Sequence, residues 1–515
     1  MGAGCAPIEA EMSVKELFLF VRPPRATWPF NGPATAFWPP LAFATLGAAL
    51  RENVRDIRVE ILDCPALRMG WKTLSRELGK MRPAYVGIGE EAVSAAEGLR
   101  LARMARALGA KVIAGGCTFG NLAPEVLATG LIDVVVHGEG ERTVVEVVEA
   151  LRCTDAETAL SGVRGVSFRR GGQALRTAAR PLIENLDDLP MPAWDLVPME
   201  RYGKGSLNHP DLATIEHSRG CVGSCGFCVL WRQMGRAAGD GVRACYRTKS
   251  IERVTEEMRI LRERYGRRYL CWVDPCFNAD GEWLGEFAER MVRQGAHIGQ
   301  NAWVRADFLE RDEASGVVEK LVRCGLNEIF VGVERADAAE LGRLGRAQDG
   351  DAARRILPVL AARYPSLYIV GSFIYGLPGD DWRTVIAMRD ATIEMKLDTA
   401  FYIPLTGLPG TDFWDSAAWD GTGETLRGMN FLTAAGPNGR DVRRLTREFA
   451  ASYLLDMRPK RIRYVLEGLF AKDARKRRMN RRLLWRGAVF AARGVAHAAT
   501  GNGAWAMRRP EWYED

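Results

Sequence analysis

Two rhythms of apolar and polar residues follow one another along the chain. Between Lys15 and about Leu151, short apolar runs alternate with amphipathic stretches. Glu16–Val21, Ile57–Leu62, Ala84–Gly89, Lys111–Gly116 and Ile132–Val136 read as strands. Leu41–Leu50, Val93–Leu108 and a stretch from about Glu141 to Leu151 read as helices. Uninterrupted apolar strands set between helices predict a parallel sheet covered on both faces. Ligands of such sheets bind beyond the carboxyl ends of the strands. Gly87, Gly89, Gly115, Gly116, Gly138 and Gly140 stand at those ends, where a bulky flat ligand needs close backbone approach. No G-x-G-x-x-G follows the first strand, which argues against NAD or FAD.

From Asp211 the strand–helix rhythm resumes. Ala213–His217, Tyr269–Val273, Gln300–Val304, Glu328–Val333, Leu367–Ile374 and Ala400–Leu405 read as six strands. Helices are expected over Ser250–Tyr265, with Ser250 as N-cap, and over Trp283–Gln294, Val317–Cys324, Ala352–Tyr364 and Trp382–Met395. Between the two rhythms, Pro181–Leu196 is rich in Pro and Asp and reads as an exposed connector. After Thr411 the chain turns helix-prone and basic, most of all over Lys472–Arg486. A solvated helical face is the favoured reading of that segment. A basic helix on an anionic membrane is one alternative, and closure of the barrel mouth another.

A length of 515 residues exceeds one ordinary domain. Hydrophobic residues at 47% and charged residues at 26% describe a globular chain, and a net charge of +7 is no argument for nucleic acid. The 11 cysteines are odd in number, and no secretory leader opens the chain. That excludes a disulfide scaffold and suits a reducing cytoplasm.

The chemistry gathers at Cys221, Cys225 and Cys228, in the run Glu216-His-Ser-Arg-Gly-Cys-Val-Gly-Ser-Cys-Gly-Phe-Cys228. Three thiolates on one short loop hold three corners of a [4Fe–4S] cube and leave one iron open. Zinc is the competing reading, with His217 as a fourth ligand, although structural zinc ligands usually come as two separated pairs. The C-x3-C-x2-C spacing, with Phe227 before the last cysteine, resembles the signature of the radical S-adenosylmethionine (SAM) superfamily. The resemblance implies that the open iron chelates SAM and that the reduced cluster cleaves it to a 5′-deoxyadenosyl radical. It implies a (β/α)6 partial TIM barrel as well, with its chemistry at the carboxyl ends of the strands. Gly332-Val-Glu334 and Gly376-Leu-Pro-Gly-Asp380 resemble family motifs near SAM. Phe227, Arg305, Glu334 and Gly376 are therefore expected around that cofactor, with Asp274 and Tyr402 as candidate catalytic groups. Cys271, Cys276 and Cys324, outside the triplet, read by default as buried small hydrophobes, with Cys276 as the one whose strand-end place also allows it to face the site.

The pattern Ile113-Ala-Gly-Gly-Cys-Thr118, followed by Ile132-Asp-Val-Val-Val-His-Gly-Glu-Gly-Glu141, resembles the cobalamin-binding domain that precedes many radical SAM domains. It implies cofactor contacts at Gly89, Gly115, Gly116, Cys117, Gly138, Glu139 and Gly140. No Asp-x-His-x-x-Gly motif is present, since Asp63-Cys-Pro-Ala-Leu-Arg-Met-Gly70 lacks the histidine. The lower face of the cobalt is then free of a His ligand, and His137 reads as a hydrogen-bonded strand-end residue.

The expected protein is α/β. A Rossmann-like cobalamin domain spans 1–180, a linker 181–205, a radical SAM partial barrel 206–412, and a mostly helical, basic region 413–515. Its expected activity is radical modification of an unactivated carbon, with C-methylation ahead of a cyclisation or ring rearrangement. A non-catalytic zinc or cofactor-binding protein is the distant alternative. The expected partners are a small-molecule substrate and a reductant such as flavodoxin or ferredoxin. Nucleic acid is not expected, and peripheral membrane contact is not favoured.

Overall fold

The computed structural model describes residues 15–25, 38–414 except 90, 205, 207, 240 and 347, then 421–423, 456–500 and 509–515. Its first sheet takes strands β1 (Glu16–Arg22), β2 (Ile57–Asp63), β3 (Tyr85–Ile88), β4 (Lys111–Ala114), β5 (Val134–Val136), β6 (Val166–Arg170) and β7 (Gln173–Arg176) in the order β2-β1-β3-β4-β5-β6-β7. The first five are parallel. The hairpin β6–β7 adds antiparallel to β5. It therefore makes the sheet mixed rather than wholly parallel, because Gly171-Gly172 permits a tight reversal with φ of 55° and 89°.

Alternation along β1 covers the sheet twice. Phe18 and Phe20 point into a core shared with α1 (Leu41–Asn53) and α7 (Glu141–Arg152). Leu17, Leu19 and Val21 point into a second core under α3 (Trp71–Met81), α4 (Ala95–Ala107), α5 (Gly116–Asn121) and α6 (Ala123–Ala128). Two short helices, α2 (Cys64–Leu67) and α8 (Ala156–Gly162), complete this unit. The sheet's order reverses between β1 and β3, and Gly89 follows β3 at that switch point.

The second sheet is built from β8 (Leu212–Ile215), β13 (Tyr269–Trp272), β14 (Gly299–Val304), β15 (Leu326–Glu334), β16 (Tyr368–Tyr375) and β17 (Thr399–Pro404), all parallel in the order β17-β16-β15-β14-β13-β8. Short pairs β9 (Ser218–Gly220) with β12 (Tyr246–Thr248), and β10 (Arg236–Ala238) with β11 (Gly241–Arg243), flank the cysteine loop. The helices are α9 (Leu230–Gln233), α10 (Ile251–Glu263), α11 (Gly281–Arg293), α12 (Ala306–Ala314), α13 (Val317–Arg323), α14 (Ala352–Arg363) and α15 (Trp382–Glu394). Ser250 caps α10 by accepting from the Arg253 amide at 3.1 Å. One face of each strand packs on these helices, for example Ile329, Val331 and Val333 of β15. The opposite face is concave.

Two readings are corrected here. The segment 181–205 is not an exposed connector. Ile183, Leu186, Leu189, Trp194, Val197, Met199 and Tyr202 are all buried, and Arg253 grips the carbonyls of Leu189 and Pro190 at 2.7 and 2.8 Å. Its Pro and Asp residues mask an apolar strap that joins both units into one core. The basic C-terminal segment is not simply a solvated face. It forms α16 (Pro459–Leu469) and α17 (Ala474–Thr500). The start of α17 seals the foot of the concave face: Arg475 pairs with Glu328 at 3.0 Å, Lys476 with Asp398 at 2.8 Å, and Met479 packs on Tyr368 and Val370.

Candidate active site

The cysteine loop is fixed at both ends. Gly220, with φ of 91°, delivers the chain from β9 into Cys221, and an added Cβ would run into the Cys245 carbonyl oxygen. Gly220→Ala is therefore expected to disrupt the β9–β12 pair and lower the iron content of anaerobically reconstituted protein. Further on, the Gly226 amide donates to the Leu344 carbonyl at 3.0 Å, and the Asp412 amide to the Gly226 carbonyl at 2.9 Å. Trp231 Nε1 donates to the Cys225 carbonyl at 3.0 Å. Phe227 packs against the apolar group of Leu344, Ile374 and Leu377.

The Cys221 and Cys225 thiols flank one hollow over Gly223, and Cys228 lies near enough to act on both electrostatically. A methyl group added at Gly223 would sit 3.7 Å from Cys221 Sγ, 3.8 Å from Cys225 Sγ and 3.1 Å from Arg305 Nη1. The Cys276 thiol hydrogen-bonds to Cys221. That bond, helped by the Gly223 amide, Arg305 and Arg346, lowers the Cys221 pKa against the effect of burial. Burial pushes Cys225 up to about 11 and raises Cys228, although backbone amides of Leu230 and Trp231 oppose the latter. Among the described residues no three His, Cys, Asp or Glu side chains gather closely enough for a single metal ion. His217 is engaged elsewhere, with Nδ1 2.8 Å from Asp274 and Nε2 3.2 Å from the Tyr246 hydroxyl. A Cys3His zinc site is thereby contradicted. Three cysteines on a glycine-lined hollow, with two arginines beside it, fit a [4Fe–4S] cube instead.

Asp274 points away from that hollow. It is 1% exposed and accepts from the His217 and Ser218 amides at 3.1 and 2.6 Å and from the Ser218 hydroxyl at 2.5 Å. His217 and Ser218 hold its pKa below the ordinary carboxylate value although burial works the other way. The structure thus makes it an anchor for the loop rather than a catalytic group. Asp274→Ala is expected to cost about 3 kcal/mol, read by thermal melting, and to leave turnover per bound cluster unchanged. Tyr402 is likewise displaced from the candidate catalytic role. Its hydroxyl bonds Thr392 at 2.7 Å and its ring stacks on Phe373, on the helix-covered side of β17.

Arg305, by contrast, reaches the loop from the end of β14, braced by Asp307 at 2.6 Å. Glu334 sits at the end of β15 with φ of 66°, buried and paired with Arg346. Burial raises its pKa and Arg346 opposes the rise. Gly376, with φ of 96°, begins a turn whose Gly376 and Leu377 amides donate to Asp380 at 2.7 and 3.0 Å, and Asp380 pairs with Arg335. Arg335 and Arg346 escaped the sequence reading, having only their place after β15 to mark them.

The glycine ends of the first sheet lie against this loop. Gly116, φ 84°, comes within 4.0 Å of the Gly89 Cα when a Cβ is added, and Gly138, φ 68°, within 3.8 Å of the Gln233 carbonyl oxygen on α9. Cys117 meets the Gln233 side chain, and burial pushes its pKa up to about 12, with Cys228 adding to the rise. Gly89, Gly115, Gly116 and Gly138 thus form a ledge without side chains, which fits a flat ligand. Glu139 and Gly140 do not belong to it. Glu139 is buried against Arg219 and Arg247 at 3.2 and 3.0 Å, while Gly140 abuts Leu46 of α1. His137 bonds Ser167 at 2.7 Å, and burial lowers its pKa to about 4.

Residues 215–391, holding the cysteine loop and five of the six barrel strands' ends, match the model of the radical SAM superfamily. This is a radical SAM domain. Around it the chain is similar to an uncharacterised methyltransferase of Pyrococcus horikoshii, 28% identical over 74% of this chain and 78% of the relative. It is 29% identical to the hopanoid C-3 methylase of Methylococcus capsulatus, over 59% of this chain and about half, 54%, of that protein. The radical SAM methyltransferase TsrM of Kitasatospora setae, solved with cobalamin and a [4Fe–4S] cluster, superposes with a TM-score of 0.61 at 19% identity, over 77% of each chain. At that identity it is the fold that the radical SAM domain and its preceding sheet share with TsrM. Among the described residues no helix is long and apolar enough to cross a membrane.

Proposed function

We propose that the chain is a cobalamin-dependent radical SAM enzyme that methylates an unactivated carbon. The observation that carries this reading is the ledge of Gly89, Gly115, Gly116 and Gly138, which faces the cysteine loop across Gln233. Two cofactor sites then open onto one cavity. Cys221, Cys225 and Cys228 would hold the cluster, with Arg305, Glu334 and Gly376 around SAM, and the ledge would hold cobalamin. Together these groups supply a carbon radical and a methyl donor when bound.

The chain's own residues do the positioning. Asp274 and Gly220 set the loop, Arg346 keeps Glu334 in place, and the ion pairs of Arg219 hold the ledge against the loop. The P. horikoshii relative and the hopanoid methylase support methylation over cyclisation. A one-electron reductant of the flavodoxin or ferredoxin type and a reducing cytoplasm suit this chemistry.

The test uses anaerobically reconstituted protein with cobalamin, reductant and SAM carrying a deuterated methyl group. Deuterium in the product, together with 5′-deoxyadenosine, is the expected result. Release of 5′-deoxyadenosine with an unlabelled, ring-altered product would replace methylation by a cyclase activity. No 5′-deoxyadenosine at all would end the radical reading.

A further inference from the structure

The concave face of the second sheet carries an aromatic wall that no cofactor contact accounts for. Side chains alternate along β14, so Trp303 shares this face with Arg305, and beyond a bulge in β15 the Glu334 carboxylate lies over Gly332, on the face of Phe330. Trp303 and Phe330 stack with centroids 4.5 Å apart and planes 23° from parallel. Phe330 and Phe401 continue the stack at 6.4 Å and 8°. Phe401 is registered with Ser372 on β16 and Phe330 with Val370, so the two rings meet diagonally across that strand. Trp303 and Phe401 remain 39% and 43% exposed, and Val273, on the same face, 37%. Large apolar groups left open inside a cavity mark a ligand surface.

The wall lies one inward residue below Arg305, about 7 Å down the strand from the group that reaches Cys221. Its floor is Met479 and Leu483 of α17 beside Phe330 and Val370. Its far side is Trp38, 40% exposed, with the Pro39 carbonyl bonded to Thr214 of β8 at 3.0 Å. The charges of the same face are already matched within the protein. Arg305 has Asp307, Glu334 has Arg346, and Glu328 has His209 and Arg475 at 2.7 and 3.0 Å. A charged substrate would have to displace one of these pairs, whereas a neutral ring system would simply cover the wall.

We infer that Trp303, Phe330 and Phe401 select a neutral, fused-ring substrate and lay its flat face along the barrel wall beneath the cluster. This rests on the proposed reading only in taking the concave face as the reaction cavity. Flat aromatic rings bind a rigid polycycle at little entropic cost, because neither partner has rotamers to freeze. An acyclic chain of the same apolar area loses many.

Binding, measured without reductant and therefore without turnover, tests the inference independently of methylation. The probes are dehydroergosterol, geranylgeraniol and free L-tryptophan, added to the full-length reconstituted protein. Dehydroergosterol is expected to bind at least about tenfold more tightly than the other two. Trp303→Ala and Phe401→Ala should each weaken it about tenfold, while Trp303→Phe keeps it and SAM affinity stays unchanged in all three. Equal affinity for geranylgeraniol, or tighter binding of L-tryptophan, would overturn the inference. So would a parallel loss of SAM affinity in the alanine variants, since adenine would then be what covers the rings.

Discussion

Cys228→Ala is expected to strip the protein of its cluster and bring SAM cleavage down to background. Cys228 closes the loop at the point where α9 begins, and amides of Leu230 and Trp231 point at its sulfur. It is also the loop cysteine whose charge raises the Cys117 pKa beside the ledge. Two remaining thiols hold only two corners of a cube, and no described His, Asp or Glu completes a metal-binding group with them. Iron and sulfide analysis after anaerobic reconstitution reads the first loss, and 5′-deoxyadenosine release the second. Cys153→Ala is the control, because Cys153 is exposed at the end of α7. A Cys228→Ala protein that kept its cluster and its 5′-deoxyadenosine would remove the basis for every role assigned around the loop.

Arg219→Ala is expected to cost about 3–5 kcal/mol, the penalty for stranding a buried charge network. The Arg219 guanidinium meets Glu216 at 2.9 Å, Glu139 at 3.2 Å and Glu141 at 2.7 Å, and its side chain is only 9% exposed. Burial alone would depress its charge, but the three carboxylates outweigh it and hold its pKa well above the ordinary value. Removing it leaves three acids near one another with only Arg247 and Lys249 at hand. The melting temperature should fall by about 10 °C. Arg219→Lys should recover part of that, as it restores charge but not the fork. Because the network joins the start of α7 to the strand that feeds the cysteines, cobalamin binding should weaken along with stability. A melt within 2–3 °C of the parent, on the order of 1 kcal/mol, would show the network to be dispensable.

The strands and the grouping of three cysteines on one loop were legible in the sequence because both are local signals. Apolar runs of four to eight residues announce β3, β5 and β16, and three cysteines inside one loop need no partner elsewhere. The losses came where a residue's role depends on direction or on a distant chain. Asp274 and Cys276 both stand just past the end of β13, yet only Cys276 turns toward the loop. Once the strand stops, the turn and not the two-residue alternation decides where a side chain points. Glu139 reads as one more residue of a glycine-rich cofactor loop until Arg219, eighty positions later, claims it. Helix α3 went unseen because only Trp71, Leu74 and Leu78 are buried in it, too thin a stripe among its charges. The aromatic wall was invisible for a related reason. Trp303, Phe330 and Phe401 belong to three separate strands, and only the parallel register assembles them.

The seal that α17 places under the barrel comes after every barrel strand in chain order. During synthesis the six strands can therefore close on their helices while Phe330, Tyr368 and Val370 still face water from below. Only the arrival of residues 474–483 dries that end. A ribosome-stalled or truncated chain lacking them would leave those side chains open as a ready-made sticky surface.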